Sequence, residues 1–294
     1  MSSIAAGPRP SVTIRRARPE DAAVCGRICY EAFHTISTRH DFPPDLPSAE
    51  VGAGLLGRLF SHPRIYCVVA EVEGRIAGSN CLDERCAISG VGPITVDPAS
   101  QNAGIGRKLM QAVLDRAWQD GSAGVRLVQA AFHNRSLSLY TTLGFDPREP
   151  LSCMQGPPLK RQIAGCSVRP AQIADLEDCN RLCSRVHGHD RSGELSDAIG
   201  GGTAVVVERD GRITGYSSAL AFFGHSAGES NVDLQALIAS SESFGGSGIL
   251  VPARNAALFR WCLENGLRVV QPLTLMTMGL YNEPAGAWLP SIIF

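Results

Sequence analysis

The chain has 294 residues, enough for two domains of ordinary size or one large one. Apolar residues make up 44%, and 27 basic against 28 acidic residues leave a net charge of −1, so no basic field gathers nucleic acid or an acidic membrane. No stretch approaches the roughly 20 apolar residues of a membrane span, and ten cysteines without a Cys-x-x-Cys pair read as reduced core thiols of a cytoplasmic protein, with no metal site.

Residues 1–11 are small and Pro-containing and read as a disordered tail. Ile14 to Asp21 opens a strand-then-helix unit, and the spacing of Cys25 and Cys29 puts both on one helix face. A long insert follows, about Phe33 to Arg64, containing His34, His40 and Phe42. Val68 to Gly78 reads as a hairpin around a Glu-x-x-Gly-Arg turn. Asp83-Glu84-Arg85 follows on the third strand or the turn after it, and 86–96 hold no carboxylate.

Next comes a short apolar strand, Pro93 to Val96, a loop with Gly104 and Gly106, and an amphipathic helix over 104–118 with Ile105, Leu109, Val113 and Trp118 inward. Gly121 and Gly124 end that helix, Val125 to Ala130 is the next strand, and Asn134 is placed as the N-cap of a helix running to Gly144-Phe145. The Pro- and Gly-rich stretch from Asp146 to Gly165 reads as a connection, with 151–164 as the linker proper.

Beyond it the chain repeats itself. Residues 168–183 match 14–29 at six of 16 positions, and 205–215 match 68–78 at seven of 11. Cys179 and Cys183 fall on Cys25 and Cys29, and Asn255 to Leu267 echo Asn134 to Phe145. The expected organisation is therefore two copies of one α/β unit, 12–150 and 165–294. The apolar end from Ala287 to Phe294 reads as a last strand or as packing between the copies.

Glycines before a helix bring backbone close to a ligand, and the unpaired N–H groups of the first turn favour an anion, usually phosphate. Arg107 and Lys108 add positive charge where a helix ordinarily carries acid. The nucleotide P-loop fails because Arg107, Lys108 and Leu109 follow Gly106; the dinucleotide fingerprint fails because Leu109 stands at the third glycine. Gln101, Gly104 and Gly106 do match Gln/Arg-x-x-Gly-x-Gly/Ala after a strand. At this loop the chain resembles the GCN5-related N-acetyltransferase (GNAT) family. Asn134, Ser138, Tyr140, Gly144 and Phe145 broadly fit that family's second motif, with Tyr140 six residues after Asn134. The second copy has Asn231 to Ile238 where the loop should lie, and no glycine opens a helix there.

The resemblance implies an α/β (α+β) chain of two tandem GNAT domains, each a mixed, mostly antiparallel sheet flanked by helices, the second lacking the pyrophosphate loop. It implies acetyl-CoA as co-substrate. Gln101, Asn102, Ala103, Gly104, Ile105, Gly106, Arg107 and Lys108 would surround its pyrophosphate, Ile94, Thr95 and Val96 would pair with the pantetheine arm, and Asn134 and Ser136 would contact the cofactor. Tyr140 would be the general acid for the thiolate. Glu84 is the first candidate base, Asp83 the second, and His133 a further possibility. Phe33, His34 and Phe42 of the insert would line the acceptor site. The expected reaction is acetyl transfer to a primary amine, of a small molecule, by direct attack in a ternary complex. A protein or peptide acceptor, and a non-catalytic acyl-CoA sensor or scaffold, are the alternatives. The expected state is a monomer or homodimer.

Overall fold

The computed structural model describes residues 11–101 and 103–293. In chain order the first half holds β1 (Val12–Arg16), α1 (Ala22–Arg39), α2 (Ala49–Ser61), β2 (Ile65–Val72), β3 (Arg75–Asp83), β4 (Ile88–Val91), β5 (Thr95–Val96), α3 (Ile105–Gln119), β6 (Gly124–Ala130), α4 (Asn134–Thr142) and β7 (Asp146–Gln155). The second half holds β8 (Ser167–Pro170), α5 (Leu176–His187), α6 (Ser192–Gly200), β9 (Val205–Arg209), β10 (Arg212–Ser217), β11 (Ser226–Gly228), α7 (Asn231–Ser240), β12 (Ile249–Pro252), α8 (Ala256–Glu264), β13 (Arg268–Gly279) and β14 (Ala287–Leu289). The described residues divide into two compact units, one within Met1–Leu82 and Val91–Gly121, the other within Asp83–Gly90 and Ser122–Phe294.

In the first unit β1 pairs antiparallel with β2, β3 follows β2, and β5 pairs antiparallel with β3 through Gly78–Val96 and Ser79–Thr95. Helices α1 and α2 cross at two glycines. A Cβ on Gly26 would lie 2.2 Å from the Ala53 nitrogen, so no side chain fits. The insert is therefore ordered helix over α2, and Leu56, Leu59 and Phe60 join Cys25 and Cys29 in the core.

The second unit carries strands in the order β4-β6-β13-β7-β12, with β4 parallel to β6 and the rest antiparallel, and a five-stranded antiparallel sheet β14-β11-β10-β9-β8. The two repeats exchange their last strands here: β13 lies between β6 and β7, and β7 between β13 and β12. Thus Asp146–Gln155, which prolines mark as a connection, is strand instead. Leu151 to Met154 pair on both sides, and opposite Leu275–Met276 of β13 the strand bulges, with Arg148 the extra residue between Pro147 and Glu149.

The duplication is visible in side chains. Arg15 bonds Asp21 at 2.7 Å and Glu71 at 2.8 Å; Arg169 bonds Asp175 and Glu208, both at 2.7 Å. Both hairpins turn on residues with positive φ, Glu73 (50°) with Gly74 (74°) and Asp210 (52°) with Gly211 (74°), as a right-twisted two-residue hairpin requires. All ten cysteines are free thiols, and all but Cys86 are buried. Among the described residues no helix is long and apolar enough to cross a membrane.

Candidate active site

The strand before the glycine loop is shorter than its apolar run: only Thr95 and Val96 are strand, and Ile94 precedes it. Thr95 is buried, and the Asp97 amide donates to Ala77 O at 2.9 Å, which pins the exit of β5. Asp97 then caps a short 3-10 turn by accepting from Ala99 N at 2.9 Å. Gln101 turns back towards Val96 O (3.4 Å). Asn102 lies outside the described residues, and Ala103 is half-buried.

Gly104 is the N-cap of α3 with φ +80°, a left-handed conformation that suits glycine, and as glycine it has no side chain to cap the helix. Lys108 N makes the 3.2 Å bond to Gly104 O that opens the α3 ladder. The first turn, Ile105 to Arg107, is the positive end of the helix. Arg107 is exposed, whereas the Lys108 ammonium is drawn to Val12 O at 3.2 Å. The buried stripe of α3 is Ile105, Leu109, Met110, Val113, Leu114 and Ala117; Trp118 is 42% exposed, because five residues after Val113 it has rotated off that face.

In the second unit, α4 is capped by His133, whose Nδ1 accepts from Ser136 N at 2.9 Å. Asn134 is therefore the first helical residue, and it is exposed. The reason lies in the repeat: α4 and α8 start at Asn134 and Ala256, so His133 falls on the α8 cap Asn255. Ser136 Oγ donates to Gln129 Oε1 (3.0 Å) or to His133 O (2.9 Å). Tyr140 is buried, edge-on to Phe145 at 6.2 Å, and burial pushes its hydroxyl pKa well above the ordinary tyrosine value.

The carboxylates differ. Asp83 accepts from Arg85 through both oxygens (2.9 and 2.6 Å), and Arg85 also reaches Asp197 at 3.0 Å. Glu84 is half-buried. Phe33 packs on the first unit's core, His34 is exposed and stacks on Tyr30 at 5.3 Å, and Phe42 N bonds Ser37 O at 2.9 Å. The structure thus groups the glycine loop, α3 and the insert residues in one unit, and Asp83, Glu84, Asn134, Ser136 and Tyr140 in the other.

The helix of the second repeat that corresponds to α3 is α7, and its start is closed by its own side chains. Ser230 caps it, and Asp233 accepts from Ser230 N (2.8 Å), Ser230 Oγ (2.9 Å) and Thr214 Oγ1 (2.6 Å). The carboxylate, fully buried, neutralises the helix end. Beside it β14 pairs with β11 through Ser226–Leu289, Ala227–Trp288 and Gly228–Ala287, so the apolar chain end is a last strand.

Sequence reasoning missed a buried cluster in the second unit. His187 Nε2 lies 3.0 Å from His225 Nε2, Arg191 Nε bonds Glu194 at 3.1 Å, and Glu194 accepts from Ser218 at 2.7 Å. Burial lowers the pKa of all three histidines, His189 to about 4, with Arg191 and Arg126 adding to the effect. These residues are scattered over the end of α5, the loop after it, α6 and the segment between β10 and β11, so no local spacing marks them.

The family model described as acetyltransferase (GNAT) domain matches residues 63–147, from β2 into β7. Within the first repeat, residues 63–147 thus resemble a GNAT acetyltransferase domain. GNAT structures also resemble the chain along almost its whole length. A Pyrococcus horikoshii protein classed as an acetyltransferase is 17% identical, with 94% of each chain covered and a TM-score of 0.71. A GCN5-related N-acetyltransferase from Sphaerobacter thermophilus is 16% identical over 92% of this chain and 96% of its own, with a TM-score of 0.57. A tandem GNAT protein from the clavulanic acid biosynthesis pathway is 13% identical over 92% and 98%, with a TM-score of 0.55. At these identities the likeness is one of fold, and it extends the GNAT architecture over both repeats. No curated protein sequence matches the chain.

Proposed function

We propose that the chain is an acetyl-CoA-dependent N-acetyltransferase acting on a primary amine of a small molecule, with one active site, in the first repeat. The observation that carries this reading is the contrast between α3 and α7. The N-cap of α3 is Gly104, with no side chain to close the helix start, and Arg107 follows in the first turn, whereas the start of α7 is filled by the buried carboxylate of Asp233. An open helix start of this kind takes an anion such as a pyrophosphate; a start closed by Asp233 does not. The domain organisation is then a binding and catalytic copy over 12–150 and a second copy over 165–294 that keeps the fold without the cradle.

The loop from Gln101 to Lys108 holds the pyrophosphate through the N–H groups of the first turn, and Arg107 adds charge. Ile94, Thr95 and Val96 offer main-chain groups to the pantetheine arm. Asn134 and Ser136 hold the cofactor from α4. The neutral amine attacks the thioester carbon; the C–N bond forms and the C–S bond breaks. Tyr140 gives its proton to the leaving thiolate. Its raised pKa keeps the phenol protonated at neutral pH, as an acid requires. Glu84 takes the proton released by the amine. Asp83, tied to Arg85 through both oxygens, is the weaker base. Phe33, His34 and Phe42 meet the acceptor.

Free-thiol release with acetyl-CoA and a panel of small amines, peptides and proteins tests the reading. Turnover with small amines is expected. Turnover with peptides alone points to the protein acceptor. Coenzyme A binding without any thiol release assigns the chain to the acyl-CoA sensors or scaffolds and overturns the catalytic assignment.

A further inference from the structure

The first repeat holds a pair of thiols that the second lacks. In the second hairpin β9 and β10 pair antiparallel, Val206 with Tyr216 and Val205 with Ser217. One step beyond stand Ala204 and Ser218, both buried. The first hairpin repeats this sequence, 68–78 on 205–215, and β2 lies beside β3 in the same way. Carried across, Ala204 and Ser218 become Cys67 and Cys81, facing each other on neighbouring strands. The fold at this pair of positions is satisfied without sulfur.

The two sulfurs are in contact. Cys67 Sγ lies 2.7 Å from Cys81 Sγ, and both side chains are buried in the core of the first unit. Non-bonded carbon atoms rest about 3.5–4.0 Å apart, and sulfur is larger than carbon, so the thiols are held closer than an ordinary packing contact. A disulfide bond is about 2.03–2.05 Å long, so bonding needs the sulfurs to close by only about 0.7 Å. The main chain around them is fixed: Cys67 O accepts from Ala17 N and Cys81 O from Gly92 N, both at 2.9 Å. The pair is held face to face, unlike thiols carried on a loose loop.

We infer that Cys67 and Cys81 are a disulfide-forming pair, a redox modification site of the first repeat whose oxidant is a small disulfide such as oxidised glutathione. The two cysteine thiols lose two protons and two electrons, and the Cys67–Cys81 bond forms. The S–S bond of the oxidant breaks and becomes two glutathione thiols. Exchange passes through a mixed disulfide on one cysteine, which the other displaces. Burial makes the step slow, since it waits for the hairpin to open, and shields the finished bond from reductants. The bridge ties β2 to β3, and β3 carries β5 through Gly78–Val96 and Ser79–Thr95. It therefore staples the strands that lead into the glycine loop. The site is independent of the acyltransferase reading.

Peptide mapping of the full chain tests this. The reduced protein is held overnight with oxidised glutathione in native buffer, the remaining thiols are alkylated in denaturant, and trypsin is added. Cleavage after Arg64, Arg75 and Arg85 puts Cys67 on residues 65–75 and Cys81 on 76–85. These two peptides should appear joined, lighter by two hydrogens than their sum, in wild type and in Cys25→Ala, and separate in Cys81→Ala. The oxidised wild type should have a raised thermal midpoint, because the bridge restricts the unfolded chain. Alkylated Cys67 and Cys81 on separate wild-type peptides overturn the assignment, as does a link that forms only when the oxidant is added in denaturant. An oxidised chain with the midpoint of the reduced one overturns the staple.

Discussion

Arg107 and Asp233 stand at the same place in their helices, three residues after the caps Gly104 and Ser230, with opposite charge. In α7 the carboxylate turns back onto the helix start; in α3 that position carries a cation and the N-cap is a glycine without a capping side chain. Asp233→Ala removes a reciprocal cap and the acceptor for the Thr214 hydroxyl, so it should cost about 2 kcal/mol of stability. Denaturant unfolding measures that loss. The variant should gain no second coenzyme A site.

Tyr140→Phe should lower kcat by about a hundredfold or more while leaving coenzyme A affinity unchanged, because the proton is needed only as the thiolate leaves. Steady-state kinetics and titration together separate the two effects. A fall in affinity alone would make the hydroxyl a binding group.

The raised pKa of Tyr140 also has a consequence for the pH profile. If the phenol is the acid, its deprotonation shuts the reaction down, and that alkaline limb should lie above the ordinary tyrosine value of about 10. The residual activity of Tyr140→Phe should lack this limb.

Acid should destabilise the second unit. His187, His189 and His225 have lower pKa values folded than unfolded, owing to burial first and to Arg191 and Arg126 next. As pH falls below about 6.5 the unfolded chain binds protons that the folded cluster refuses. Stability is therefore full above that pH and declines towards pH about 4, where His189 titrates in the folded state. Thermal midpoints between pH 7.5 and 4.5 should fall continuously, and His189→Gln should flatten part of the decline.

Gly26→Ala should destabilise the first unit by roughly 1–3 kcal/mol, since its methyl would meet the α2 backbone. Differential scanning calorimetry reads this as a lowered midpoint.

Much of the architecture was legible because the chain states it twice. The matched Arg-Asp and Glu-Gly-Arg segments became matched ion-pair networks and hairpin turns. The strand exchange was hidden: Pro147 and Pro150 look like connection, and nothing local tells β7 that its neighbours are β12 and β13. Asn134 looked like a cap because asparagine favours caps, but the repeat's register places the cap one residue earlier, on His133. The α3 start was legible in its glycines. The closure of α7 was half legible, since the missing glycine showed but the Asp233 network spans residues 214 to 233.

Coenzyme A titration of wild type against Arg107→Asp tests the central claim most directly, since that substitution gives α3 the acid found at the same position of α7. The account predicts one site per wild-type chain and a loss of more than tenfold in affinity in the variant, with the fold retained. Two sites per wild-type chain, or unchanged affinity in Arg107→Asp, would contradict it.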